Sequence, residues 1–186
     1  MSEENKAEEN EEQKTKAKSE IISWVKTIIF ALVLAFFINN FIIVNATVPT
    51  GSMENTIMPN NRIIALRLIY YFENPERGDI VVFKYPDNEE ILYVKRVIGL
   101  PGDTVEVKDG RVYINGADTP IADEYIKETA YGNYGPYEVP DGSYFMMGDN
   151  RNESLDSRFW VNKFVEKDKI LGKVYFKYYP KIEKLD

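Results

Sequence analysis

Ser52 is the residue of this chain best placed to do chemistry. It lies in "ATVPTGSMENTIMPNNR", residues 46 to 62, directly after a glycine and just beyond a long hydrophobic run. A serine hydroxyl is a poor nucleophile until a base takes its proton. The usual base is histidine, and the chain contains none. The base must then be a lysine or a carboxylate. Lysine, with an ordinary pKa near about 10.4, serves only if burial of its ammonium lowers that value. A drop of about 3 units corresponds to roughly 4 kcal/mol of differential solvation.

Lys95 in "ILYVKRVIGL" meets this requirement. Alternation along a strand places it on one face with Ile91, Tyr93 and Val97, while Arg96 faces the other way with Val94 and Ile98. Most other lysines beyond the hydrophobic run stand beside acids, glycine or proline, as in "VKDGR" and "PKIEK". Each residue taken alone also has a plain structural explanation. A lysine can guard a sheet edge with its tip in water, and a Gly-Ser pair is often a turn or cap.

A third polar element is "MGDNRNESLDSRFW", residues 147 to 160. Asx turns and an Asp156–Arg158 pair would hold such a loop. It could also bring a hydroxyl, such as that of Ser154, to the lysine amine. Its spacing does not fit a calcium loop.

These three elements need a scaffold and a location. The 186 residues suit one main domain, with 44% hydrophobic residues for its core. The chain has no cysteine, hence no disulfide and no thiol nucleophile; with histidine also lacking, the common zinc and iron sites are excluded. A net charge of -7 argues against a nucleic-acid binder. No metal or cofactor is expected.

Residues 1 to 20 hold seven acids and four lysines and no aromatic residue. They are expected to form a disordered cytoplasmic tail. Residues 21 to 44, "IISWVKTIIFALVLAFFINNFIIV", carry one charge, Lys26. As a helix they would span roughly 36 Å, enough for a bilayer core of about 30 Å. Lysines cluster before this span, and the first basic residue after it is Arg62. The positive-inside rule therefore puts the N-terminus in the cytoplasm and residues 45 to 186 outside. A buried core helix should show a polar face, which Ile28 to Ile38 lacks. A cleavable leader, suggested by Val44-Asn45-Ala46, would have a shorter apolar stretch. Asn39 and Asn40 would lie near the outer headgroups or against a partner helix.

Beyond Thr47 the pattern is that of strands. "DIVVFKYP", "EILYVKRVIGL", "DTVEVKDGRVYING", "GSYFMMGD" and "KILGKVYFKYYP" are short, rich in Val, Ile, Tyr and Phe, and bounded by Gly, Pro and Asp. Asp109-Gly110 predicts a two-residue hairpin turn. The outer domain is thus expected to be mainly β, a folded antiparallel sheet or barrel-like body. Residues 117 to 140 predict a surface excursion packed by its own tyrosines.

Four blocks, "TGSMENTI", "RGDIVVFKYP", "YVKRVIGLPGD" and "GDNRNESLDSR", follow one N-terminal apolar segment in this order. In this the chain resembles the bacterial type I signal peptidases. The resemblance implies a single-pass protein of the bacterial cell membrane that cleaves exported preproteins after small residues, in the A-x-A style. It makes Ser52 the nucleophile, Lys95 the general base, and Thr50 with the Ser52 N–H the oxyanion hole. It assigns Ser154 to orienting the lysine, Asp156 and Arg158 to bracing the loop, and Met53 and Tyr93 to the substrate pocket. Its partners are preproteins and the lipid bilayer, with Met53, Ile57 and Met58 near the anchor. Some relatives of this fold lack the dyad and act in assembly of surface structures, the alternative function. Two positions depart from the pattern. Asn55 replaces a proline that would fix φ and so is expected to loosen the backbone, and Glu153 replaces an asparagine and adds a negative charge near the dyad.

Overall fold

A computed structural model of the chain describes residues 3–185. The chain divides into two units, residues 1–40 and 41–186.

The first unit is a helix, α1 (Glu3–Phe37), followed by a π-helical turn at Ile38–Ile42. The helix extends through most of the segment expected to be a disordered tail. Glu, Lys, Ala and Gln dominate there, and all are strong helix formers. The stretch Lys16–Ile42 is long and apolar enough to cross a membrane, with a mean hydropathy of 2.5 and none of that apolar window buried. Asn40 is satisfied locally, its side-chain amide donating to the Phe36 carbonyl at 2.8 Å.

The helical segment ends two residues earlier than expected. Ile43 and Val44 belong instead to β1 (Ile43–Thr47), where they pair with Leu66 and Ala65. β-branched side chains suit a half-buried strand, and Val44 is buried in the core.

The second unit is built of antiparallel strands, as its sequence pattern predicts. After β1 come β2 (Arg62–Leu66), a one-turn helix α2 (Ile69–Phe72), β3 (Ile80–Tyr85), β4 (Asn88–Gly99), β5 (Thr104–Lys108) and β6 (Arg111–Ile114). These are followed by β7 (Tyr134–Glu138), β8 (Ser143–Met147), β9 (Val165–Glu166), β10 (Ile170–Tyr179) and β11 (Glu183–Lys184). The larger sheet runs β1-β2-β10-β3-β4-β8-β9, with β11 beside β10; the smaller runs β6-β5-β7. β3 lies centrally, and both its faces are buried. Ile80 and Val82 join a core with Met53, Ile57 and Ile63, while Val81 and Phe83 join one with Val97, Met146 and Trp160.

The β5–β6 hairpin turns at Asp109 and Gly110, with φ of 48° and 75°. Two consecutive positive values are those of a type I′ turn. The 117–140 excursion differs from expectation. Three of its four tyrosines pack on other parts of the chain, and Tyr131 is exposed: Tyr137 stacks on Phe145 and Tyr134 meets Phe159 edge-on. Tyr125 lies under the Arg96 guanidinium, 3.8 Å from the ring centroid.

Candidate active site

Ser52 sits in the turns that follow β1. The Glu54 N–H donates to the Gly51 carbonyl at 3.0 Å, and the Ile57 N–H to the Met53 carbonyl at 2.7 Å. Met53 and Ile57 are wholly buried in the core beneath. These two apolar anchors hold the turn down; Ser52 itself is only 6% exposed and lines a cleft. Met53, expected beside the substrate pocket, is wholly buried and is not part of the cleft lining beside Ser52. Met53 and Ile57 likewise face the core and not a membrane; Met58 alone of the three is exposed.

Lys95 reaches Ser52 from β4, where it stands opposite Val81. Its Nζ is 2.5 Å from Ser52 Oγ, and it also donates to the Val94 carbonyl at 3.2 Å. Lys95 is only 4% exposed. Burial pushes its pKa down to about 8, while the carboxylates of Asp156 and Asp149 pull it partly back up. The two residues picked out by elimination are thus in direct contact, and the lysine carries the depressed pKa that a base requires.

Thr50 Oγ1 lies 3.5 Å from Ser52 Oγ, on the same small loop. Tyr93 shares the β4 face of Lys95, with the ammonium 5.2 Å from its ring centroid, and stacks on Tyr85. A cleft of about 330 Å3 opens beside the pair, lined by Val48, Thr50, Ser52, Tyr93, Lys95 and Leu155 among others.

The 148–158 loop closes the site. Arg158 grips Asp156 through Nε and Nη2 at 2.8 and 2.9 Å, both side chains buried. Asp156 in turn accepts from the Gly148 N–H at 3.0 Å, and Arg158 donates to the Arg151 carbonyl at 2.5 Å. This is the bracing pair that the sequence suggested. Ser154 is buried as well, but its hydroxyl has no hydrogen-bond partner and does not bond Lys95. Gly148 touches both Ser154 and Ser52: a Cβ at this position would collide with the Ser154 hydroxyl and the Ser52 carbonyl.

The contacts that hold the nucleophile turn from behind, made by Asn150, Asp149, Arg96, Thr56 and Tyr125, escaped sequence reasoning. The Asn150 N–H donates to the Ser52 carbonyl at 3.1 Å, and its side-chain amide donates to the Gly51 carbonyl at 2.9 Å. Asp149 accepts from Arg96 at 2.9 and 2.7 Å and from the Thr56 hydroxyl at 2.5 Å. Tyr125 covers the Arg96 guanidinium. The sole hint was the alternation that turned Arg96 away from Lys95, into a half of the domain where a charge needs a partner.

The departures from the family pattern also have definite places. Asn55 takes φ 85°, which proline cannot adopt, and its side chain donates to the Tyr125 carbonyl at 3.1 Å. It ties the nucleophile loop to the excursion, where a loosened backbone was expected. Glu153 is exposed and does not act on Lys95; its charge is felt instead at Lys127.

A family model described as signal peptidase, peptidase S26, matches residues 21–179. The chain is 41% identical over 160 residues to a probable signal peptidase I-2 of Synechocystis sp., covering 83% of this chain and 72% of that protein. It is 39% identical over 178 residues to a signal peptidase I of Bacillus licheniformis, covering 91% and 95%. It is 40% identical over 172 residues to signal peptidase I S of Bacillus subtilis, covering 88% and 91%. With its catalytic-type pair in contact and its match extending over most of its length, this chain belongs to the signal peptidase family, peptidase S26.

Proposed function

We propose that this protein is a membrane-anchored serine endopeptidase that removes signal peptides from exported preproteins. The observation that carries the reading is the 2.5 Å contact between Ser52 Oγ and a buried Lys95 whose pKa is pushed down to about 8.

The steps follow from that geometry. An extended preprotein segment lies in the cleft, its backbone alongside a strand and its small side chains against the apolar wall. Neutral Lys95 takes the proton of Ser52 as Oγ attacks the scissile carbonyl carbon. The oxyanion accepts hydrogen bonds from the Ser52 N–H and the Thr50 hydroxyl. When the C–N bond breaks, the mature chain's new amine leaves with the proton held by Lys95. The signal peptide remains as an ester on Ser52. Lys95, neutral again, takes a proton from water, which attacks the ester carbonyl. The signal peptide's new carboxylate then leaves, and the proton returns from Lys95 to Ser52 Oγ.

The apolar helix supports anchoring in a lipid bilayer, and the lysines before the span support a cytoplasmic N-terminus with residues 45 to 186 outside. The presence of both Ser52 and Lys95 speaks against a purely structural role in assembly.

The test is cleavage of a detergent-solubilised preprotein with an A-x-A site by the full chain, Ser52→Ala and Lys95→Ala. Cleavage at that site by the wild type alone is expected. Full activity in either variant would remove that residue from the mechanism.

A further inference from the structure

Glu153 is the charged residue of the cleft that the reaction does not use. It lines the cleft together with Ser52, Lys95, Thr50 and Leu155, and it is exposed. Lys95, the other charged residue of the lining, is buried and engaged with Ser52. The remainder of the lining is aliphatic, hydroxylic, proline or tyrosine.

Two internal roles for the carboxylate can be set aside. It does not tune the base, because the carboxylates that act on Lys95 are those of Asp156 and Asp149. Nor does it hold the loop. Among the described residues no ion pair or hydrogen bond engages the Glu153 side chain; the loop's contact at this residue is its backbone N–H, which donates to the Asn150 carbonyl. The neighbouring Lys127 is taken by Glu54 in a 2.7 Å ion pair, and Glu153 acts on it only at longer range. An unpaired carboxylate at the edge of an apolar cleft thus faces whatever occupies that cleft.

We infer that Glu153 is a specificity-determining residue, one that favours preprotein segments carrying lysine or arginine close to the scissile bond. The inference rests on the peptidase reading above. An apolar wall beside the carboxylate lowers the local dielectric, so a cation seated there is attracted more strongly than at an open surface. A substrate acid at the same place meets like charge. Asparagine, which the family pattern has at this position, would discriminate in neither direction.

The experiment uses the full chain in detergent at pH 8 and a peptide series with one A-x-A site. Lys, Gln or Glu is placed in turn at each position flanking the bond, and kcat/KM is measured at low and high salt for wild type, Glu153→Gln and Glu153→Lys. In the wild type, at one or two positions, Lys is expected to exceed Gln by about three- to fivefold at low salt, the range of a partly exposed ion pair. The preference shrinks in high salt. Glu153→Gln brings the Lys-to-Gln ratio to one, and Glu153→Lys inverts the ranking in favour of Glu. Equal rates for Lys, Gln and Glu at every position in the wild type would overturn the inference. So would a lysine preference that survives in Glu153→Gln, which would point to Glu54 or Glu128. Failure of the wild type to cleave even the Gln peptides would sink the peptidase reading itself, and this inference with it.

Discussion

Asn150 holds the backbone of Ser52 from across the site. Its N–H donates to the Ser52 carbonyl at 3.1 Å, and its side chain donates to the Gly51 carbonyl at 2.9 Å. The two residues are distant in the chain, so the polar loop templates the turn that presents the hydroxyl. Asn150→Ala deletes the side-chain bond to Gly51, with a longer one to Glu54 at 3.5 Å, and keeps the backbone bond. The expected stability loss is about 1 kcal/mol. The larger effect should be kinetic, a fall of about tenfold in kcat, since a small displacement of a reacting atom is costly. Thermal melts and single-turnover acylation separate the two.

Lys95 must be neutral to act, and its pKa is pushed down to about 8. Activity is expected to rise with pH and level off above that value. The same shift bears on stability. Between about 8 and 10.5 the unfolded lysine binds a proton that the folded one has lost, so stability contributed by this residue rises with pH there. Below 8 the native ammonium is charged and desolvated. Lys95→Met should therefore be inactive yet more stable than wild type below pH 8, by about 3 kcal/mol at most. That gain should vanish as pH approaches 10.5. Denaturant melts of both proteins at pH 7 and pH 10 provide the check.

Gly148 packs against the Ser52 turn with no room for a side chain. In Gly148→Ala the new methyl meets the Ser154 hydroxyl and the Ser52 carbonyl. Overpacking of this kind costs about 1–3 kcal/mol. Because the methyl pushes directly on Ser52, kcat should fall by more than about 100-fold. A variant with near-normal turnover would show that the loop yields without moving the hydroxyl.

Ser154 carries a buried hydroxyl with no partner in the resting site. Such a group costs stability, so Ser154→Ala should melt no lower than wild type and up to about 1 kcal/mol higher. If the hydroxyl meets Lys95 during the reaction, kcat falls at least tenfold in the same variant. Undiminished activity would remove Ser154 from the catalytic machinery.

Asp156 links the bracing of the loop to the titration of the base. Its carboxylate raises the Lys95 pKa against the effect of burial. Asp156→Asn removes that field, so the acid limb of the pH–kcat/KM profile should move to lower pH. The same change leaves buried Arg158 without its counter-charge, a loss of about 3–5 kcal/mol. The profile is best recorded at low temperature, where the variant remains folded. An acid limb that stays in place would mean that Asp156 is not felt at Lys95.

Residue types and local periodicity made much of this site legible. The missing histidine, a glycine before Ser52 and a lysine among apolar neighbours led to a contact that the fold then makes. Asp156 and Arg158 were legible because they are two residues apart and oppositely charged. The burial of Met53 was not legible, because adjacency in sequence to Ser52 says nothing of direction: the turn sends this side chain into the core. Asn55 was misjudged because a positive φ belongs to the backbone and not to the residue name.

By itself the sequence determined the apolar helix, the strand-rich domain and the Asp109-Gly110 turn, and it singled out Ser52 and Lys95 as the candidate pair. These depend on composition, short-range alternation and elimination, which a linear chain carries. Only the tertiary structure decided how close Ser52 and Lys95 come, what holds the nucleophile turn, and where Glu153 faces. Those are relations between residues far apart in the chain. The depressed pKa of Lys95 is also such a property, because desolvation is imposed by everything packed around a side chain.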